Sequence, residues 1–294
     1  MTLYAPKYYK DFKCTADKCS HSCCIGWEID IDPDTQSKYN ELTDGYGNVI
    51  KNSISSEGAP HFTLGECDRC PHLNERGLCN IILNVGEDYL CDICREHPRF
   101  YNFTSIAEVG IGMSCEEAAR IILTSPDYST MERVGDVDAE PDSIEFDGIT
   151  ERGNIYSVLR DTALPYGEKL GVICEKYSIS LPDVPTYLDI LDSLEYLDDS
   201  HRALFMTLSD NRPEDADTYL ERFLAYFIYR HCTEAIDPAD LCDRLTFCLF
   251  CEQLFASLIV STGASTLDEL ITLARIISEE IEYSDDNTCA LTYI

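Results

Sequence analysis

Ten of the sixteen cysteines in this chain lie between Cys14 and Cys115, a density that ordinary core packing does not require. They fall into groups, and two C-x-x-C pairs are separated by about twenty residues. A two-residue spacer lets both thiolates of such a pair point at one metal ion or cluster. The groups are Cys14, Cys19, Cys23 and Cys24; Cys67, Cys70 and Cys79; Cys91 and Cys94; and Cys115.

The first residues, MTLYAPKYYKDFKC, contain no apolar run of the kind that forms the core of a signal peptide. We therefore expect a cytoplasmic protein, and the cytosol keeps thiols reduced. Under those conditions clustered cysteines are metal ligands or buried thiols rather than a disulfide framework. The sequence thus predicts a metal centre in the first 125 residues.

Spacing alone leaves the metal open between zinc and iron-sulfur. A structural zinc site takes four ligands, and a four-iron cluster also takes four thiolates, often from distant segments. The C-x-x-x-C-x-x-C pattern of the best-known radical enzymes that use S-adenosylmethionine is absent, because Gly26 stands where the third cysteine would follow Cys19 and Cys23.

The formal net charge of −32 narrows the range of partners. So much negative charge repels nucleic-acid backbones and anionic membrane surfaces at long range. We expect no nucleic acid and no membrane among the partners, whereas a lysine-bearing protein substrate is electrostatically compatible.

Apolar periodicity predicts a mainly α-helical fold in which an irregular, cysteine-rich metal-binding region packs on a helical C-terminal region. The predicted division is a cysteine-rich region over 1–125, an acidic connection over 126–150 and a helical region over 151–294. Helices are expected over 184–198 and 217–231, and a buried one over 245–260. A further helix should start near Leu267, since Thr266 and Glu269 have the spacing of a capping box.

Several segments carry a resemblance to the flagellin lysine N-methylase family, whose cysteine-rich half is similar to a wider group of zinc- or iron-chelating domains. These segments are YAPKYYKDFKC, CSHSCCIGWEIDID, CPHLNERGLCNIILNVGEDYLCDICREHPRFY and GIGMSCEEAARIIL, with weaker likeness in YLERFLAYFIYRH and SEEIEYSDDN. Within them this chain departs from the family at Glu116, Glu279 and Tyr283.

The resemblance implies a metal-ligand set and an activity. The expected ligands are Cys19, Cys23, Cys24, Cys70, Cys79 and Cys94, followed by Cys91 and Cys115, with Cys14 and Cys67 last. The implied activity is methylation of flagellin lysines with S-adenosylmethionine, dependent on an iron-sulfur cluster of the 4Fe-4S type. The alternative is a non-catalytic zinc- or iron-binding protein that acts as a chelator or scaffold. Catalytic and donor-binding residues stay unassigned.

Overall fold

The computed structural model describes residues 1–43, 45–55, 57–141 and 145–293 of the chain. Its contacts divide into two units: a cysteine-rich unit, Lys13–Arg99, and a helical unit formed by Met1–Phe12 and Phe100–Ile294. The strands are β1 (Thr2–Pro6), β2 (Ile54–Ser55), β3 (His61–Phe62), β4 (Arg99–Phe103), β5 (Ala107–Ile111) and β6 (Met131–Asp136).

Helices dominate the secondary structure, as the sequence predicted. They are α1 (Pro33–Glu41), α2 (Tyr46–Asn52), α3 (Asn80–Asn84), α4 (Asp92–Glu96), α5 (Glu116–Thr124), α6 (Gly148–Leu159), α7 (Tyr166–Tyr177), α8 (Leu188–Ser193), α9 (Asp199–Phe205), α10 (Asp217–His231), α11 (Pro238–Thr262), α12 (Leu267–Ile277) and α13 (Asp285–Thr292). A π-helical turn, Ser278–Glu282, follows α12 directly.

The helical unit contains a four-stranded sheet in the order β4-β5-β1-β6. Strand β1 runs parallel to β5 and antiparallel to β6, with an irregularity between Leu3 and Tyr4. The strands of this sheet do not follow the boundaries of the three predicted regions. The first twelve residues, expected in the cysteine-rich region, belong to the helical unit, and β6 occupies part of the stretch expected to be a connection.

Helices α10, α11 and α12 supply much of the core of the helical unit. Helix α10 has the bounds expected for 217–231, and α11 includes the buried helix expected over 245–260. Helix α11 is long and apolar enough to cross a membrane, but 72% of its apolar window is buried inside the protein, as in a core helix. Thr266 and Glu269 form the expected capping box at the start of α12.

The helix predicted over 184–198 is shorter in the structure. A 3-10 turn leads into α8, which ends at Ser193, and Leu194 then adopts an extended conformation. The backbone N–H groups of Glu195 and Leu197 are bound by the side chains of Asn287 and Glu280, respectively. These long-range hydrogen bonds replace the helical ones that the leucine spacing suggested.

Candidate metal centre

Five thiols of the cysteine-rich unit lie close enough to influence one another's ionisation. They belong to Cys24, Cys70, Cys79, Cys91 and Cys94, and each of them is at least half-buried. Cys70 and Cys91 are part of the apolar core of this unit, and the other three pack against that core. The five thiols, here called the thiol cluster, come from three of the sequence groups.

A tight loop brings the middle cysteines together. The backbone N–H of Cys70 donates to the Cys24 carbonyl at 2.9 Å, which aligns the first two groups. The turn that follows is closed by the side chain of Asn74, which accepts from the N–H of Leu78, and by Gly77, whose φ of +73° suits glycine. A β-bridge between Leu73 and Cys79 then returns the chain to the cluster.

Helix α1 braces the last group of thiols although it contains no cysteine. Asp32 caps α1, and its second carboxylate oxygen accepts from the N–H of Asp92 at 2.8 Å, which fixes the start of α4. Tyr39 is fully buried, donates its hydroxyl to the Tyr89 carbonyl at 2.7 Å and lies 3.5 Å from Sγ of Cys91. Cys91 precedes α4 and Cys94 lies within it, so their spacing of three places both thiols on one side of the helix.

The ionisation behaviour of the thiols tests whether they suit a metal. Burial, with repulsion from Cys24 and Cys79, raises the pKa of Cys70 to about 12. Burial also raises the pKa of Cys79, and a hydrogen bond with Cys91 raises that of Cys94. Five such thiols cannot all ionise without a compensating cation, and metal binding supplies that charge. The donor set and its apolar surroundings therefore fit thiolate ligation of a metal cluster. Among the residues that the structure describes, no three of these sulfurs lie within 4.8 Å of one another, so the thiols are not gathered around a single ion.

Two thiols of the cluster have lowered pKa values. A hydrogen bond with the Cys23 thiol lowers the pKa of Cys24 to about 7, assisted by Ser22 and the charge of Arg69. A hydrogen bond with Cys94 lowers the pKa of Cys91. These two thiols are therefore the most readily ionised of the cluster.

The remaining predicted ligands occupy other positions. Cys23 is exposed beside Cys24, and Cys19 lies with its Sγ 3.2 Å from Oγ1 of Thr15. Cys115 belongs to the helical unit, where it immediately precedes α5. Cys14 and Cys67, which ranked last, are both exposed. The ligand set as a whole stays a prediction.

His72 lies among the candidate ligands, but neither nitrogen of its ring is vacant. It is buried, and burial lowers its pKa to about 4, so the ring is neutral at physiological pH. Its Nδ1 is 2.8 Å from the Tyr46 hydroxyl and its Nε2 is 2.9 Å from the Ser53 hydroxyl. Both nitrogens are therefore committed to hydrogen bonds rather than to a metal.

Sequence reasoning missed Tyr39 and Arg69 as neighbours of the thiols. Arg95, which follows Cys94 in the sequence, forms an ion pair with Asp92. Arg69 is the cation that lowers the pKa of Cys24. Its position within the C-x-x-C pair Cys67–Cys70 was the available signal.

We expect Tyr39→Phe to lower the free energy of unfolding of the metal-free protein by about 1 kcal/mol, because the partly buried Tyr89 carbonyl loses its donor. Urea unfolding followed by circular dichroism measures this change. Tyr293→Phe, at a side chain that is 66% exposed, is the control and should leave the midpoint unchanged. Equal midpoints for Tyr39→Phe and the parent protein would contradict the bracing role of α1.

Comparison with known proteins gives distant relatives. The chain is 29% identical over 138 residues to the flagellar biosynthetic protein FliU of Salmonella muenchen, covering 43% of this chain and 80% of that protein. It is 28% identical over 138 residues to the lysine-N-methylases of Salmonella choleraesuis and Salmonella typhimurium. Those alignments cover 43% of this chain and 34% of each methylase, about a third of its length. No family model and no solved structure matches the chain.

Proposed function

We propose that this protein is a protein-lysine N-methylase that uses S-adenosylmethionine, requires an iron-sulfur cluster and acts on flagellin or a similar lysine-bearing protein. The observation that carries the proposal is the gathering of five thiols in an apolar core. The names of the distant relatives support the reaction and the flagellar substrate. The net charge of −32 favours a cationic substrate side chain.

The thiol cluster has more donors than a 4Fe-4S cluster needs. Four thiolates hold such a cluster, and Cys24, Cys70, Cys79, Cys91 and Cys94 provide five candidates. The hydrogen bond from Tyr39 to the Tyr89 carbonyl would keep Cys91 in position, and Arg69 would offset negative charge at Cys24. When bound, such a cluster supplies one-electron chemistry.

The transfer itself places simple demands on the protein. The carbon-sulfur bond of the sulfonium donor breaks, a carbon-nitrogen bond forms at the lysine, and a base accepts the proton that the amine loses. The amine must therefore be neutral when it reacts and must be held in line with the methyl group. A water-poor, acidic or tyrosine-lined pocket would meet these demands.

Anaerobic reconstitution tests the proposal. The reconstituted protein is expected to contain iron and acid-labile sulfide, and incubation with flagellin and S-adenosylmethionine is expected to add methyl groups to lysines, detected by intact mass. Flagellin with acetylated lysines is the control and should gain no mass. Stoichiometric zinc without iron, together with no methylation, would favour the non-catalytic metal-binding alternative.

A further inference from the structure

A cleft of about 560 Å³ in the helical unit has a lining that mixes carboxylates with tyrosine rings. Its volume lies within the range of about 300–1,000 Å³ typical of small-ligand sites. We call it the C-terminal cleft; it is lined by Glu195, Tyr196, Leu197, Glu279, Glu280, Tyr283, Ser284, Asp285 and Asp286.

Hydrogen bonds between distant segments fix the walls of the cleft. Asn287 accepts from the N–H of Glu195 at 2.9 Å and donates to the Glu195 carbonyl at 2.6 Å. Glu280 accepts from the N–H of Leu197 at 2.8 Å. The other wall comes from the π-helical turn and the first turn of α13, and π-helical turns occur frequently at functional sites. The cleft is therefore built into the fold.

The carboxylates of the cleft differ in whether a basic side chain pairs with them. Glu279 pairs with Arg275, and Glu280 lies 2.5 Å from Nδ1 of His201. Within the described part of the chain, no lysine, arginine or histidine forms an ion pair with Glu195, Asp285 or Asp286. These three exposed acidic residues of the lining are thus available to a cation from outside.

The apolar part of the lining indicates what kind of cation fits. Leu197 is 52% exposed and Tyr283 is 38% exposed, although both are large hydrophobic side chains. The Arg230 guanidinium lies over the Tyr283 ring, 5.6 Å from its centre, so this ring offers a ligand its remaining exposed surface. Tyrosine rings attract ammonium groups, and aliphatic stems of lysine pack along apolar surface while the charged end stays among polar groups. A hydrated divalent cation would gain nothing from the tyrosines and the leucine.

We propose that the C-terminal cleft binds a primary alkylammonium group, the lysine side chain of a protein substrate, with Glu195, Asp285 and Asp286 facing the charge and Tyr196, Leu197 and Tyr283 facing the stem. That this lysine is the methyl acceptor rests on the proposed function. The binding itself does not, because it follows from the charge and the lining of the cleft.

Ligand-observed NMR on the full chain tests the binding with a short acetylated lysine peptide and the same peptide containing norleucine, which has the stem without the charge. Only the lysine peptide is expected to bind. The variant Glu195→Gln/Asp285→Asn/Asp286→Asn should weaken its binding about tenfold, as for the loss of several partly exposed charge contacts. A matched variant, Glu168→Gln/Glu175→Gln/Asp243→Asn, removes three exposed charges elsewhere on the unit and should leave the affinity within about twofold.

Three results would overturn the assignment: equal binding of both peptides, an equal loss in both variants, or no binding of the lysine peptide. A zinc titration adds a fourth, since His201, Glu279 and Glu280 have ligand atoms within 4.8 Å of one another and histidine with carboxylates suits zinc. Zinc that binds there while the lysine peptide does not would identify a metal site instead.

Methylation kinetics test the role of the cleft separately from the proposed methylase activity. If the parent protein methylates flagellin, the cleft variant should raise KM about tenfold and leave kcat unchanged, as for removal of a substrate-binding contact. An unchanged KM would remove the cleft from the reaction while the methylase assignment stands. If the parent protein binds the lysine peptide but methylates nothing, the binding role of the cleft stands and the proposed methylase activity does not.

Discussion

Cys70→Ser is expected to abolish retention of iron by the reconstituted protein, whereas Cys67→Ser is expected to retain it fully. The two residues form one C-x-x-C pair, but Cys70 is buried in the thiol cluster and Cys67 is exposed. Loss of a group that merely hydrogen-bonds to a ligand costs about 10–100-fold in metal affinity, so loss of a ligand should cost more than about 100-fold.

The experiment compares iron and sulfide content per chain after anaerobic reconstitution and desalting. Circular dichroism of the metal-free variants shows whether both still fold, so that a folding defect is not mistaken for a missing ligand. Methylation should fall with the iron content in Cys70→Ser. Full iron in Cys70→Ser, or loss of iron in Cys67→Ser with an intact fold, would show that the thiol cluster is not the metal centre.

Extending the series to the other thiols would identify the ligands. A four-iron cluster needs four thiolates, so besides Cys70→Ser we expect three of the substitutions at Cys24, Cys79, Cys91 and Cys94 to remove iron and one to spare it. Cys115→Ser belongs in the same series because the sequence pattern groups it with the ligands, while the structure places it in the helical unit. The iron content of the Cys115→Ser protein decides whether Cys115 is a metal ligand.

Local patterns in the sequence predicted the elements that local interactions determine. The capping box of Thr266 and Glu269 involves neighbours in the chain, and the apolar residues of α10 have the periodicity of a buried helix. The helix predicted over 184–198 is shorter in the structure because the side chains of Asn287 and Glu280, more than eighty positions away in the sequence, bind the backbone of Glu195 and Leu197. No periodicity in the segment itself carries that information.

The candidate metal centre also combines local and long-range contributions. Spacing predicted which cysteines are candidate metal ligands, because C-x-x-C pairs are local. Which of them come together depends on α1, whose Asp32 and Tyr39 hold the segment around Cys91 through bonds across fifty or more residues. Neither residue has a metal-ligand pattern, so the support of the site could be seen only in the fold.

The helical unit offers a second large effect, at a buried ion pair. Arg152 is expected to be essential for stability: its guanidinium donates to both carboxylate oxygens of Glu108 at 2.7 Å, and the two side chains are only 5% and 1% exposed. The same group donates to the Thr233 hydroxyl at 2.7 Å. Removing one partner of such a pair leaves a buried charge without compensation.

Arg152→Met is expected to lower the free energy of unfolding by about 3–5 kcal/mol, the usual cost of breaking a buried pair from one side. Adding Glu108→Leu should recover part of that loss, because no buried charge then remains. Arg133→Met is the control: Arg133 pairs with Asp136 at 2.5 Å, but both side chains are more than half exposed, so the change should stay within about 1 kcal/mol. Urea unfolding of the four proteins gives the values. If Arg152→Met costs no more than Arg133→Met, the buried, doubly hydrogen-bonded pair between Glu108 and Arg152 does not support the fold.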